Sequence, residues 1–434
     1  MTEKDKYITH PSLLFGKLQN NAEFAVFHRK DTYEPFFFKK HIIRMLMTLK
    51  SFSATAVQLK INYRLDDIEI ESLVNSNILV PYSYKFKAGL PGLKNLHSMI
   101  NRSRLASLAV ETRTPLFCKI ELTYKCNFQC KHCYVKNLDS DYIIFDDLKK
   151  ILYDLKSLGV LFIYLTGGEP LLHPEINEIL KLCDEMNFIT TLQTNGSLIT
   201  EKHIELFKSL SHFSLGISYH SDDPEEFDGF TQTPGSFIVV SEILGMLKDS
   251  GLDYFLKIPV TTFNRKEILT LARRLREENI KTELNTQILP DIADKDRTES
   301  FQPENVDYLI PFYEEGFLTF TKTRCSACKD KLWIDPTGEV YPCELYRHSI
   351  GNIFEENIKT LWYGEKALDI LDSEIYREPD ICRDCSVKST CNKCLAYREY
   401  EKWNRGLSFF CKKAKLIAGL ASSKSSNNEE VRQK

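Results

Sequence analysis

The sequence predicts an α/β protein: a run of β/α units with parallel strands, a small α+β unit ahead of it and a cysteine-rich region behind it. Three observations carry this reading. From residue 116 to 290, short apolar β-branched runs alternate with amphipathic windows, the pattern of strands joined by helical crossovers. Residues 12 to 85 instead place their extended runs first and their helical windows after. Thirteen cysteines are unevenly spread, and eleven of them lie in two groups, Cys126 to Cys133 and Cys325 to Cys411.

A chain of 434 residues exceeds one ordinary core and suggests two or three domains. Its 43% hydrophobic and 27% charged residues describe a soluble globular protein. A net charge of −3 gives no footprint for nucleic acid and no pull toward an anionic membrane. The start "MTEKDKYITH" lacks an apolar signal region, and no stretch approaches the ~18 apolar residues of a spanning helix. The expected location is therefore the cytoplasm. Its reducing poise argues that so many cysteines serve metal or catalytic chemistry rather than disulfides. Cys118, in "LFCKIEL", and Cys183, in "ILKLCDEM", stand apart and read as small buried hydrophobes.

In chain order, "SLLFGKLQ", "AEFAVFHR" and "YEPFFF" read as extended, followed by helices at about 39–50, 53–61 and 66–77 and the ending "NSNILVP". This is a unit of winged-helix size, residues 1–85. Residues 86–115 open with Gly and Pro and continue as one bridging helix. Six strand candidates follow: "LFCKIELT", "LFIYLT", "FITTLQT", "HFSLGIS", "YFLKIPVTT" and "TELNTQIL". Helices are expected between them near 146–158, 175–186, 200–209, 236–250 and 266–278. Periodicity leaves open whether these units form a doubly wound sheet or a partial barrel. A polar connector (291–324), the cysteine-rich region (325–415) and a tail poor in apolar residues (416–434), expected to be disordered, complete the chain.

In parallel β/α folds chemistry collects at the carboxyl ends of the strands. Each distinctive motif falls there: Cys126, Cys130 and Cys133 after the first strand, "TGGEP" (166–170) after the second and "TNG" (194–196) after the third. Ser218 ends the fourth, and the fifth runs into Thr261, Thr262 and Asn264. Three cysteines spaced C-x3-C-x2-C are one ligand short of a closed tetrahedral site. A zinc site would need a distant fourth ligand such as His132 or His173. A cubic [4Fe–4S] cluster could instead bind three thiolates and keep its last iron open. Two glycines permit close backbone approach, and Glu169 can accept from a cationic amine.

C-x3-C-x2-C followed by Tyr134, with "GGEP" after the next strand, resembles the radical S-adenosylmethionine enzymes. The resemblance implies a partial (β/α)6 TIM-type barrel over residues 116–290. It further implies that Cys126, Cys130 and Cys133 hold a [4Fe–4S] cluster whose open iron takes the amino and carboxylate groups of S-adenosylmethionine. Gly167, Gly168 and Glu169 would line the methionine amine. Thr194, Asn195 and Ser218 would lie near the ribose, and Tyr134 beside the cluster. The activity implied is reductive cleavage of the cofactor to a 5′-deoxyadenosyl radical that abstracts a substrate hydrogen.

By spacing alone, the eight later cysteines suit two zinc sites as well as two iron–sulfur clusters. Cys325, Cys328, Gly338 and Cys343 follow C-x2-C-x9-G-x4-C, and Cys382, Cys385, Cys391 and Cys394 follow C-x2-C-x5-C-x2-C, with Cys411 last. Together with "IDPTGEVYPC" and "IGNIFEENIKTLW", this order resembles the SPASM extension of peptide and protein maturases. The resemblance implies two auxiliary [4Fe–4S] clusters, hence three in all. Cys325, Cys328, Cys343 and Cys394 would hold one, and Cys382, Cys385, Cys391 and Cys411 the other. The chain departs from the pattern in the gap before Cys394, in Tyr219, His220 and Ser221 after Ser218, and in Thr231, where many relatives carry Arg. His220 is the candidate acid–base residue, with a hydrogen-bonding structural role as the competing reading.

Residues 1–85 are similar in size and element order to the PqqD-like peptide-recognition domain. This implies capture of a leader peptide as an added strand, against a generic winged helix for DNA, which a nearly balanced charge disfavours. The expected function is maturation of a ribosomal precursor peptide, installing a thioether or carbon–carbon crosslink, with a flavodoxin or ferredoxin-type electron donor. An anaerobic sulfatase-maturing, formylglycine-generating enzyme is the alternative. A zinc-binding regulatory or scaffold protein is the alternative of another class.

Overall fold

In a computed structural model of the chain, the described residues are 6–9, 13–17, 23–27, 35–37, 45–46, 54–55, 59, 65, 67–75, 79–81, 109–136, 138–265, 267–289, 291–294, 299–303, 305–319, 325–373, 382, 384–388, 391, 394 and 411–420. The amino-terminal unit contains Lys6–Thr9 (β1), Leu13–Lys17 (β2), Glu23–Phe27 (β3), Pro35–Phe37 (β4), Ala54–Thr55 (β5), Asp67–Asn75 (α1) and Leu79–Pro81 (β6). The three expected extended runs form the antiparallel sheet β2-β3-β4. A second sheet, β5-β1-β6, departs from expectation. Ala54–Thr55 opens the predicted helix 53–61, yet it pairs with Lys6 and Tyr7 of β1. Tertiary pairing overrides local helical preference there. Met45, Leu46, Leu59, Ile70 and Leu73 are buried. Of the bridging segment, residues 109–112 are helical and 113–115 lead out of the helix, while 86–108 lie outside the described residues.

The central unit alternates as predicted: Phe117–Glu121 (β7), Phe145–Leu158 (α2), Phe162–Thr166 (β8), Ile176–Glu185 (α3), Ile189–Thr194 (β9), Glu201–Ser209 (α4) and Phe213–Ser218 (β10). Then come Pro224–Thr231 (α5), Ser236–Ser250 (α6), Tyr254–Pro259 (β11), Ile268–Glu277 (α7) and Lys281–Asn285 (β12). The sixth strand is shorter than "TELNTQIL", because residues 286–289 leave the ladder. Strands β7 to β12 lie side by side in sequence order and all pair in parallel. A doubly wound sheet needs a reversal of order, and there is none here. Right-handed crossovers in one direction put every helix on the same face, leaving the other face lined only by strand side chains. The partial barrel follows from that order. Ile120, Ile163, Leu192, Ile217 and Leu256 face the helices and are fully buried, while Lys119, Tyr164, Thr191, Ser218 and Lys257 alternate with them toward the interior.

After the connector, with Ile310–Glu314 (α8), the chain adds Lys331–Ile334 (β13), Glu339–Tyr341 (β14) and Gly351–Asn352 (β15) to the same sheet, then Ile358–Tyr363 (α9) and Glu365–Asp372 (α10). β13 pairs in parallel with β7, Lys331 opposite Phe117 and Ile334 opposite Ile120. The connector is docked rather than loose: Phe312 joins the main core, and Val306, Leu309 and Tyr313 pack on Ile417. That contact corrects the expectation for the start of the tail, since residues 411–420 are helical and Ile417 is buried. Residues 421–434 lie outside the described residues. Among the described residues no helix is long and apolar enough to cross a membrane.

Trp362 fastens this cysteine-rich part to the chain entering the barrel. It is fully buried, its Nε1 donates to the Arg113 carbonyl at 2.8 Å, and Arg113 Nη2 returns a bond to the Trp362 carbonyl at 3.0 Å. Replacing Trp362 by Ala should cost about 3–5 kcal/mol from the lost contacts and cavity, read as a lowered urea midpoint of the cluster-free chain.

Candidate active site

The three rim motifs are hydrogen-bonded into one assembly. Asn127, beside Cys126, donates to Ser197 Oγ at 2.8 Å and accepts from Asn195 Nδ2 at 2.8 Å. Asn195 N donates to Glu169 Oε2 at 2.8 Å, while Thr194 Oγ1 and Leu171 N donate to Oε1 at 2.6 and 3.0 Å. Thr194 and Asn195 thus serve the site first by holding Glu169. Behind the cysteine loop, Gln129 N and Lys131 N donate to the carbonyls of Thr231 and Phe230 at the end of α5. Fully buried Thr231 shares a 2.6 Å bond with Ser236 Oγ. It is a support for the loop, which explains a hydroxyl of modest size at that position.

The double glycine answers a constraint within the chain itself. Gly168 N donates to the Thr123 carbonyl at 2.7 Å and Glu169 N to the Lys125 carbonyl at 2.9 Å. A Cβ on Gly167 would lie 2.3 Å from the Thr123 carbonyl oxygen, and one on Gly168 would lie 2.3 Å from that of Lys125. Gly167 also holds φ +145°, a conformation costly for other residues. Two glycines let the second strand's loop run against the backbone that leads into Cys126.

Cys126, Cys130 and Cys133 line one wall of a cavity of about 400 Å³, with Gly167, Gly168 and Ser218 beside them. Burial pushes the Cys126 thiol up to about 12 and that of Cys130 higher, and Cys133 raises both further. Thiols so enclosed stay protonated at neutral pH unless a cationic centre binds their thiolates. The three therefore suit an iron–sulfur cluster as donors. A fourth ligand from His173 is excluded: its Nε2 donates to the Ile143 carbonyl at 2.9 Å, and its Nδ1 accepts from Glu175 N at 3.1 Å. His132 packs on Phe230, ring centres 4.7 Å apart, and on His220 at 5.5 Å.

His220 is buried, and burial, reinforced by His132, holds its pKa well below the usual range. Its Nδ1 has no hydrogen-bond partner among the described residues, and only its carbonyl is tied down, by Asn264. Thr261 and Asn264 bond to each other and close the end of β11. Tyr134 does more than pack, because its hydroxyl donates to Glu121 at 2.6 Å. Cys118 and Cys183 are fully buried, as expected of small hydrophobes.

The second thiol group reaches the opposite end of the same cavity. Cys325 and Cys328 precede β13 and Cys343 follows β14, and the three thiols sense one another electrostatically. β13 runs parallel to β7, so these residues sit near its amino end, about 16 Å of strand below the rim. Cys343 lines the cavity together with Lys331 and Glu344. From there the loop climbs the inner wall: Glu344 meets Lys119 at 3.1 Å, and Arg347 grips Glu121 with Nη1 at 3.2 Å and Nη2 at 2.9 Å. Cys382, Cys385, Cys391, Cys394 and Cys411 are all half-buried. Sequence reasoning missed Asn127, Ser197, Arg347 and helix α5. For α5 a signal was present, in the Asp223 cap and Pro224 at the first turn.

Comparison with known proteins agrees with this arrangement. Residues 120–302 match the radical SAM superfamily, and residues 325–386 match SPASM, an iron–sulfur cluster-binding domain. The antilisterial bacteriocin subtilosin biosynthesis protein AlbA of Bacillus subtilis is 27% identical over 304 residues, covering 64% of this chain and 67% of AlbA. An AdoMet-dependent heme synthase of Methanosarcina barkeri is 23% identical over 328 residues, covering 66% of this chain and 92% of the synthase. In fold, the chain is similar to SuiB of Streptococcus suis solved with the precursor peptide SuiA, at a TM-score of 0.62 and 18% identity, covering 91% of this chain and 97% of SuiB.

Burial raises the Glu169 carboxyl from 4.5 to about 7, against the lowering effect of its three donors. The folded chain therefore holds this proton more tightly than the unfolded one. The stability it contributes is complete below pH 4.5 and is lost as pH rises through about 7. In the cluster-free protein, Glu169→Gln should flatten that part of the stability curve, seen as a difference in urea midpoints across the range.

Proposed function

We propose that this radical S-adenosylmethionine enzyme, whose barrel is joined to a SPASM iron–sulfur domain, installs a crosslink in a ribosomally made precursor peptide. The observation that carries the reading is the single cavity running from Cys126, Cys130 and Cys133 at one end to Cys343 at the other, lined between them by polar side chains. A substrate segment held there would sit between a radical source and an electron acceptor, which is what bond formation with net oxidation requires. The named roles of AlbA in bacteriocin biosynthesis and of SuiB with a precursor peptide support a peptide substrate. A fold likeness spanning 91% of the chain supports counting residues 1–85 in the working unit.

In this reading Cys126, Cys130 and Cys133 hold the catalytic [4Fe–4S] cluster. Cys325, Cys328, Cys343 and Cys394 hold one auxiliary cluster, and Cys382, Cys385, Cys391 and Cys411 the other. With a cluster held by these three cysteines and an electron from a flavodoxin or ferredoxin-type donor, S-adenosylmethionine would supply a 5′-deoxyadenosyl radical for hydrogen-atom abstraction from the substrate. The protein's own part is placement. Gly167 and Gly168 bring their backbone to the methionine amine, and Glu169, pinned by three donors, keeps capacity on Oε2 to accept from it. Ser218 and the Thr194–Asn195 turn face the ribose. Residues 1–85 take the leader peptide as an added strand, and the work is done in the cytoplasm.

Two experiments test this. The anaerobically reconstituted wild type should yield 5′-deoxyadenosine, and a variant with Cys126, Cys130 and Cys133 all changed to Ala should yield none while keeping the iron of its auxiliary clusters. A wild type that binds zinc and forms no 5′-deoxyadenosine would falsify the assignment. Co-expression with a short open reading frame beside the gene should give a peptide lighter by two hydrogens per crosslink. Deleting residues 1–85 should abolish that mass change, whereas a formylglycine-generating enzyme would keep its activity.

A further inference from the structure

The inner face of this barrel is charged at a level where closed barrels are packed with branched apolar side chains. Lys119, Lys257 and Lys331 line the cavity from β7, β11 and β13, facing Glu283 of β12 and Glu344. Their pairing is uneven. Lys119 Nζ is 3.1 Å from Glu344 Oε2 and 4.2 Å from the centre of the Trp333 ring. Burial opposes the charge of Lys331, but Cys343, then Asp330 and Cys325, outweigh it. The ammonium groups of Lys257 and Lys331 form no hydrogen bond or ion pair with any described residue, although Glu283 is the register partner of Lys257 on β12. Burial lowers the pKa of Lys257, Lys119 lowers it further, and Glu283 and Glu344 offset this only in part.

A second, independent set of groups is unmatched at the same place. Trp333 is 4% exposed, and its indole N–H, wholly out of solvent, has no acceptor among the described residues. The same holds for the Tyr164 hydroxyl. Trp333, Lys119 and Tyr164 are successive register partners across β13, β7 and β8, and all three line the cavity. Buried donors without acceptors are costly and rare, and the half-buried Lys257 presents an ammonium without a counter-ion to the same cavity. Lys257 and Tyr164 both sense Glu283 and Glu344, which puts them in one neighbourhood of the cavity, and an anion with two acceptor oxygens is the ligand such donors lack. Three lysines against two glutamates leave the lining one positive charge, which suits a monoanion and disfavours a phosphate dianion.

We propose that Lys257, with Tyr164 and Trp333, forms a subsite that recognises one carboxylate of the substrate peptide, on the inner wall of the barrel below the rim, where Lys257 is the register neighbour of Ser218. The assignment rests on the peptide reading above. The carboxylate comes from an Asp or Glu side chain or from the peptide's own carboxyl terminus. Its place explains why the strand interior is polar: the acid anchors the substrate from below while the reacting residue is presented to the rim.

The test uses the reconstituted holoenzyme with S-adenosylmethionine and three capped tripeptides, Gly-Glu-Gly amide, Gly-Gln-Gly with a free carboxyl terminus, and Gly-Gln-Gly amide, titrated by calorimetry. One of the two carboxylate peptides should bind at least about tenfold more tightly than the neutral one, and which of them does so identifies the source. Lys257→Met should erase the preference and Lys257→Arg should keep most of it. Tyr164→Phe, which changes almost no volume, should weaken it severalfold. Iron content reports folding of each variant. Equal binding of all three peptides by the wild type, or a preference that survives in Lys257→Met, overturns the subsite. So does about tenfold weaker binding of S-adenosylmethionine by Lys257→Met, which would assign the lysine to the cofactor's carboxylate. Formation of 5′-deoxyadenosine by the wild type reports separately on the radical reading, so either idea can fail without the other.

Discussion

The pair between Glu121 and Arg347 is the contact on which the rest of the site depends. Glu121 ends the strand that feeds the cysteine loop and is completely buried. Arg347 follows the loop that carries Cys343, and its guanidinium reaches both carboxylate oxygens while stacking near Tyr134, Trp333 and Tyr341. A buried ion pair of this kind adds little net stability over a well-packed apolar pair, yet losing one partner strands the other charge. Its value is therefore positional. With Tyr134 also bonded to Glu121, the two thiol groups share one carboxylate as a common reference, and the spacing between them is fixed by side chains as well as by the sheet.

The same economy governs the thiols. Burial keeps Cys126, Cys130, Cys328 and Cys343 protonated in the bare chain, so the protein folds around neutral groups. The charge enters with the cluster, whose irons stabilise the thiolates, and protons leave as it binds. A cavity that is already electropositive at Lys119, Lys257 and Lys331 tolerates that added negative charge better than an apolar one would.

Much of this was legible in the sequence, and the remainder was hidden for identifiable reasons. The first four strands and the five expected helices of the barrel fall within a residue or two of their expected places because hydrophobic period is a local property. Strand order is not local, so the choice between a doubly wound sheet and a barrel had to wait for the register. The metal-binding residue types announced themselves by spacing, whereas Asn127 and Ser197 did not, since each matters only through a partner some 70 residues away. Glu169 was expected to meet a cofactor amine, and its three protein donors were invisible for the same reason. The order at the start of the tail was hidden because its partners, Val306, Leu309 and Tyr313, lie about a hundred residues earlier in the polar connector.

The pairing of β7 with β13 has a consequence for how the molecule is made. Phe117 to Ile120 bond on one side to β8, some 45 residues on, and on the other to β13, more than 200 residues on. At a synthesis rate of about 5–20 residues per second, the strand carrying the cysteine loop waits roughly 10–40 seconds on the ribosome for its second neighbour. Arg347, emerging later still, is the last piece to close around Glu121. The chain thus emits all six β/α units before the contacts around Glu121 and the second edge of β7 can be completed.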